Sequence, residues 1–222
     1  MTEKIALFDF CETLANFQTA DRFVDYVREN DRRRSILFLK MIHSVLRRTR
    51  IIAALSLLFP HKSINKRIYA LQLRGLRYEE IDHYARLYYN TVIHPNLIPR
   101  MLEELQRQQI DGYRIVLVSG GYDFYLKYFA AEFRIETNDI ICTSFVFKNG
   151  KCTGLFQGQD CLFDEKVKRI NRLLKDHQES SIAYSDSKSD LPMLEWAKTA
   201  IVVREISGKK WNNKYNEIVW ER

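Results

Sequence analysis

The apolar positions of this chain change period along its length. Lys4 to Phe10 (KIALFDF) is a continuous apolar run broken by one Asp, the pattern of a short buried strand. From about Ala15 to Leu105 the spacing is helical: Phe23, Val24 and Val27 share a face within Ala20 to Arg28, and Ile81, Tyr84, Ala85 and Tyr88 within Glu79 to Tyr89. Met101 to Gln108 continues the helical pattern until Asp111-Gly112 stops it. Beyond that point short apolar runs alternate with helices. Tyr113 to Val118 (YRIVLV), Ile140-Ile141, Ser181 to Tyr184 and Ala200 to Val203 read as strands, while Asp123 to Phe133, Phe163 to Lys175 and Leu191 to Ala197 read as helices. Asn149-Gly150, between Thr143 to Phe147 and Lys151 to Phe156, is a two-residue hairpin signal.

Strands alternating with helices, plus one strand at the N-terminus, imply an α/β fold with a Rossmann-like parallel sheet core. The helical block between the first two strands is then an inserted α-helical cap, so the expected division is a core of residues 1–14 and 100–222 and a cap of residues 15–99. His94-Pro95 and Pro99 mark the return from cap to core, where a hinge would lie. Ligands of such sheets bind at the carboxyl ends of the strands, and Asp9, Ser119 and Asp186 all fall at strand ends. Asp9 and Asp186, with Asp190 four residues on, are oxygen donors of the kind Mg²⁺ takes. Ser119 with the N–H groups of Gly120 and Gly121 at a helix start suits phosphate oxygens, and Lys166 would neutralise charge that remains. One Asp9 oxygen is then available to attack phosphorus and form an aspartyl phosphate. Singly, each residue has a plainer reading: a strand-end Asp as a helix cap, Ser119 as an N-cap, Lys166 beside Lys168 and Arg169 as part of a solvated face. Their convergence on strand ends favours the site.

Composition narrows the partners. The 222 residues are 46% hydrophobic and 13% aromatic, enough for a packed core in one or two domains, and the net charge of +7 favours anionic partners. Cys11, Cys142, Cys152 and Cys161 include no CxxC pair and read as reduced thiols of a cytoplasmic protein. The N-terminus lacks the layout of a signal peptide, and the apolar run from Ile51, extended to Phe59, falls short of the roughly 20 residues a bilayer span requires. Arg32-Arg33-Arg34 opens a basic block running to Lys62, in which Lys40, His43, Arg47 and Arg50 recur on one helical face. Three readings of that face stand: it draws an anionic substrate to the site, it lies on an anionic membrane surface, or it is solvated over an apolar core. No motif supports nucleic acid binding.

DFCETL, LVSGG, DEKVKRI and YSDSKSDLPML resemble, in order, the four motifs of the haloacid dehalogenase superfamily of aspartate-nucleophile phosphatases. The resemblance spans residues 5 to 203, and the insertion after the first motif resembles the phosphoserine-phosphatase-like branch with a helical cap. Within it, CLFDEKV with YSDSKSD and a basic, apolar cap is similar to the phosphatidylglycerophosphatase C family. The resemblance implies a Mg²⁺-dependent hydrolase of a phosphorylated small molecule or lipid-phosphate head group. It implies Asp9 as nucleophile, Ser119 and Lys166 as phosphate binders, and Asp186 and Asp190 as Mg²⁺ ligands, the last directly or through water.

One position departs from the pattern. The residue two after the nucleophile is normally an Asp that protonates the leaving group and then deprotonates water; here it is Cys11. The main-chain carbonyl at that position is what normally meets the metal, so metal binding should survive while acid/base catalysis is in question. A neutral thiol is a poor base at neutral pH. Glu12, where the family usually has a small residue such as Gly, either supplies the missing carboxylate or is a surface residue at a turn. Three outcomes are open: a phosphatase with another base, a slow enzyme demanding an acidic leaving group, or a phosphate-binding or membrane-surface binding protein without turnover. Ser185, where Gly often precedes the Asp, reads as harmless.

Overall fold

Strand β1 (Lys4–Phe8) is buried along all but its first residue, and its side chains divide by parity: Ile5 and Leu7 to one face, Ala6 and Phe8 to the other. A strand apolar on both faces belongs inside a sheet covered by helices on both sides. A computed structural model, which describes residues 3–31, 63–175 and 177–221, shows that sheet. Six strands run in the order β3-β2-β1-β6-β7-β8, with β2 at Tyr113–Tyr122, β3 at Ile140–Thr143, β6 at Ser181–Ser185, β7 at Thr199–Glu205 and β8 at Asn216–Trp220. Every neighbouring pair is parallel. The connections turn one way from β1 to β2 and β3 and the other way to β6, so the crevice between the ends of β1 and β6 is the switch point where such sheets bind ligands.

The described residues include the helices α1 (Thr19–Asn30), α2 (Ile64–Ala70), α3 (Tyr78–Tyr88), α4 (Pro99–Ile110), α5 (Asp123–Glu132), α6 (Asp164–Leu173) and α7 (Leu191–Trp196). Residues of α1, α3, α4 and α5, among them Phe23, Tyr88, Met101 and Phe129, form one apolar cluster with the Ala6 and Phe8 face. Ile170 of α6 and Met193 and Leu194 of α7 cover the Ile5 and Leu7 face. The basic run Arg32 to Arg34 and the face of Lys40, His43, Arg47 and Arg50 lie outside the described residues. Among the described residues no helix is long and apolar enough to cross a membrane.

One feature differs from the sequence expectation and a second resolves an open one. Strand β2 continues past Val118 through Ser119-Gly120-Gly121 to Tyr122, with its register against β3 broken between Val118 and Tyr122. The tail from Lys209, which with Trp211 and Trp220 among charges reads as either a docking strand or surface, supplies the edge strand β8, with Trp220 buried against the sheet end while Val219 stays exposed. The segments entering and leaving the inserted helices pair with each other: Asn16 N–H donates to Asn96 O at 2.9 Å and Ile98 N–H to Leu14 O at 2.8 Å.

The hairpin of β4 (Phe145–Lys148) and β5 (Lys151–Phe156) lies against the inserted helices, with Gly75 N–H donating to Cys152 O and Cys152 N–H to Leu76 O, both at 2.8 Å. Gly154 is what lets them meet. Its φ is +75°, and a Cβ there would stand 2.8 Å from Leu71 Cα and 3.1 Å from Ala70 O. Gly154→Ala is therefore expected to destabilise the protein by about 1–3 kcal/mol, combining left-handed backbone with overpacking. The check is the denaturant midpoint, which should fall without a change of slope; an unchanged midpoint would mean the hairpin yields freely.

Candidate active site

Asp9 follows directly on β1, its N–H donating to Tyr184 O at 3.0 Å, so the ladder with β6 carries it to the switch point. Asp186 follows directly on β6. Between β1 and β6 stands Thr13, whose Oγ1 accepts the Asp186 N–H at 3.0 Å and donates to Asp186 Oδ1 at 3.1 Å, 3.5 Å from Asp9 Oδ2. Thr13 thus ties the two strand ends together. It lies four residues after Asp9 in FDFCETL, and sequence reasoning assigned it nothing.

Lys166 is the centre of charge. It is 2% exposed, and its Nζ donates to Asp9 Oδ1 and to Asp190 Oδ2, each at 2.7 Å. Burial opposes its ammonium, but Asp190 and Asp9 hold it charged, with a pKa above the ordinary lysine value. The solvated-face reading of Lys166 is therefore excluded. Ser185, which reads as harmless, also supports this cluster, because its hydroxyl donates to Asp190 Oδ2 at 2.7 Å and accepts the Ser187 N–H at 3.2 Å.

These groups open on a cavity of about 380 Å³ lined by Asp9, Cys11, Lys166, Asp186 and Asp190 from the sheet side and by Gln18, Asp21, Asn65 and Lys66 from α1 and α2. Burial lifts the Asp9 carboxyl above its ordinary range, against the pull of Lys166. Burial, then the charges of Asp9, Glu12 and Asp190, push the Asp186 carboxyl up to about 8. Asp9, Asp186 and Asp190 outnumber the Lys166 ammonium they surround, and Asp190 Oδ1, also buried, has no hydrogen-bond partner among the described residues. A hard divalent cation suits that donor set. Among the described residues no three His, Cys, Asp or Glu side chains already form a ligand cluster. Asp9 and Asp186 with the Cys11 main-chain carbonyl are the groups that would hold Mg²⁺, with Asp190 behind them.

The Ser119-Gly120-Gly121 segment differs from expectation in one respect. The Gly121 N–H donates to Ser119 Oγ at 2.9 Å, so that donor is already used. Gly120 forms the cavity wall, with Ser119 fully buried behind it. A Cβ on Gly120 would meet Leu162 Cδ2 at 2.6 Å, so a side chain there would have to displace the end of Leu162. The Ser119 hydroxyl proton is committed to no acceptor among the described residues.

Cys11 lines the cavity, yet its Sγ lies 3.1 Å from Thr19 Oγ1, itself 2.8 Å from Tyr125 OH. Burial and the neighbouring Asp9 push the thiol up to about 11, so it stays protonated at neutral pH. Glu12 is exposed and accepts from Gln18 Nε2 at 2.5 Å. Its φ of +57° is the left-handed conformation that favours glycine.

A lysine of α2 that sequence reasoning missed closes the far side. Lys66 Nζ pairs with Asp160 Oδ1 and donates to the Gly120 carbonyl, over the rings of Tyr122 and Phe156 at 5.3 and 5.4 Å. Asp160 also accepts from Thr143 Oγ1 at 2.6 Å.

A family model described as haloacid dehalogenase-like hydrolase matches residues 6–195. Over 131 residues the chain is 28% identical to a histidinol-phosphatase of Neisseria meningitidis, an alignment covering 56% of this chain and 59% of that protein, so it spans less than two thirds of that relative. A crystal structure of a protein of unknown function from Bordetella pertussis Tohama I superposes with a TM-score of 0.75 at 21% identity, covering 91% of both chains. A phosphoserine phosphatase solved as a phospho-aspartyl intermediate analogue superposes with a TM-score of 0.59 at 20% identity, covering 91% of this chain and 87% of the other. At these identities the structural likeness is one of fold. The family match itself runs from β1 through Asp190 and takes in the inserted helices, and the chain belongs to the haloacid dehalogenase-like hydrolases.

Proposed function

We propose that this protein is a Mg²⁺-dependent phosphomonoesterase acting through an aspartyl phosphate on Asp9. The observation that carries the reading is the buried Lys166 ammonium held between Asp9 and Asp190 on the floor of the cavity, at the sheet's switch point. A bound Mg²⁺ would neutralise phosphate charge and set phosphorus against Asp9. The chain's own groups do the rest. Lys166 and the Ser119 hydroxyl donate to phosphate oxygens, and an Asp9 oxygen forms the new bond to phosphorus as the ester oxygen leaves. Water then attacks the phosphorus of the aspartyl phosphate, releasing phosphate and restoring the carboxylate. The division into a core of residues 1–14 and 100–222 and a cap of 15–99 belongs to the same reading: the cap supplies the wall that meets the leaving group.

The substrate in this reading is a small phosphorylated molecule. A cavity of about 380 Å³ is of the size that encloses one, and the names of the relatives, a histidinol-phosphatase and a phosphoserine phosphatase, support it. The test is release of phosphate from an aryl phosphate with and without Mg²⁺. Turnover that needs no divalent cation would sink the mechanism.

A second reading, a catalytically weak phosphate-binding protein, is favoured by the protonated Cys11 thiol engaged with Thr19. A further carboxylate for proton transfer is Glu12, held by Gln18. If neither serves, the leaving group departs unassisted and aryl phosphates react far faster than alkyl phosphates. Cys11→Asp is then expected to raise alkyl phosphate turnover by about 10²-fold, the lower end of what a positioned acid/base supplies, and aryl turnover much less. Equal rates for the two proteins on an alkyl phosphate would show that Glu12 or another group already performs the step.

A further inference from the structure

Asp186 is gripped at both of its peptide groups. Its N–H is held by Thr13 Oγ1 at 3.0 Å, from the segment after β1, and its carbonyl accepts from Trp211 Nε1 at 2.7 Å. Trp211 lies in the loop between β7 and β8, beyond residue 195, where the family match ends. That loop is built to hold its shape. Asn212, 3% exposed, accepts the N–H groups of Lys214 and Tyr215, each at 2.8 Å, and donates to Tyr215 O at 2.7 Å. The Trp211 ring packs on the cluster that contains Met193, Leu194 and Val202, and β8 anchors the far end of the loop in the sheet.

We propose that Trp211 is a positioning residue for the metal site: its indole N–H fixes the Asp186 main chain so that the carboxylate is presented to Mg²⁺. The inference rests on the reading above that Asp186 is a Mg²⁺ ligand. Main-chain freedom at Asp186 would let its carboxylate turn away from the Asp9 side, where burial and like charge already disfavour it. With Thr13 on one side and Trp211 on the other, the carboxylate has one supported placement, and outer partners of this kind are worth tenfold or more in metal affinity. The tail strand, outside the family pattern, thereby acts on the site from the sheet's edge.

The test compares the full-length wild type with Trp211→Phe, which keeps the ring packing and removes the N–H. Mg²⁺ is titrated calorimetrically, with indole fluorescence and the thermal midpoint in chelator measured alongside. The expected result is about tenfold weaker Mg²⁺ binding in Trp211→Phe, a thermal midpoint in chelator close to wild type, and loss of a Mg²⁺-dependent emission change that the wild type shows. Superimposable Mg²⁺ isotherms would overturn the proposal while leaving the metal site intact. A wild type that takes up no Mg²⁺ would overturn the metal reading and this inference together. Weaker binding with a midpoint that collapses in chelator would also overturn it, by showing that Trp211 serves the fold instead.

Discussion

Asp9→Asn is expected to abolish phosphate release, by a factor on the order of 10⁴ or more, while leaving the protein folded. The substitution keeps shape and volume in a site that is 5% exposed, so the change is chemical. A carboxamide has no anionic oxygen with which to attack phosphorus, and no aspartyl phosphate can form on it. Stability should hold or rise, because burial already works against the Asp9 charge and Lys166 keeps Asp190 as a partner. The check is phosphate release beside a thermal melt of the same preparation. Activity within tenfold of wild type would remove Asp9 from the role of nucleophile, and a protein that fails to fold would assign the residue to structure.

Lys166→Met should damage both activity and stability. The ammonium is the buried cation shared by Asp9 and Asp190, and removing one partner of a buried ion pair leaves the remaining charges uncompensated, at a cost of about 3–5 kcal/mol. Turnover should fall by a further kind of loss, about 10²–10³-fold, because a fixed cation no longer meets the charge that develops on the phosphoryl group. A denaturation curve and a saturation curve separate the two effects. A midpoint equal to wild type would mean that the pair is nearly neutral in stability, and unchanged kcat would place Lys166 outside the chemistry.

The sheet was legible because its strands are apolar on both faces: Ile5 to Phe8 and Ile182 to Tyr184 read correctly from runs of residues alone. Asp9, Lys166, Asp186 and Asp190 were legible for a related reason, since charge at the end of a buried strand or in a motif of fixed order stands out. What escaped is what depends on long-range closure. Thr13 and Trp211 meet Asp186 from 173 and 25 residues away, and nothing local distinguishes them from any other Thr or Trp. Lys66 meets Asp160 across 94 residues in a helix whose neighbours are also basic. Strand β8 stayed ambiguous between a docking strand and surface, because an edge strand buries only part of one face.

The described inserted helices are rooted on the sheet in two different ways. Phe23, Val24 and Val27 of α1 and Tyr88 of α3 belong to the same apolar cluster as Phe8 and Phe10, so lifting either helix would bring core side chains into water. The first turn of α2 meets the sheet domain differently, through the polar contacts of Lys66 with Asp160 and the Gly120 carbonyl. Water can take over contacts of that kind at little cost, whereas it cannot take over the packing of Phe23. Among the described residues, the first turn of α2 is therefore the part of the inserted helices fastened by charge, while α1 and α3 are fastened by grease.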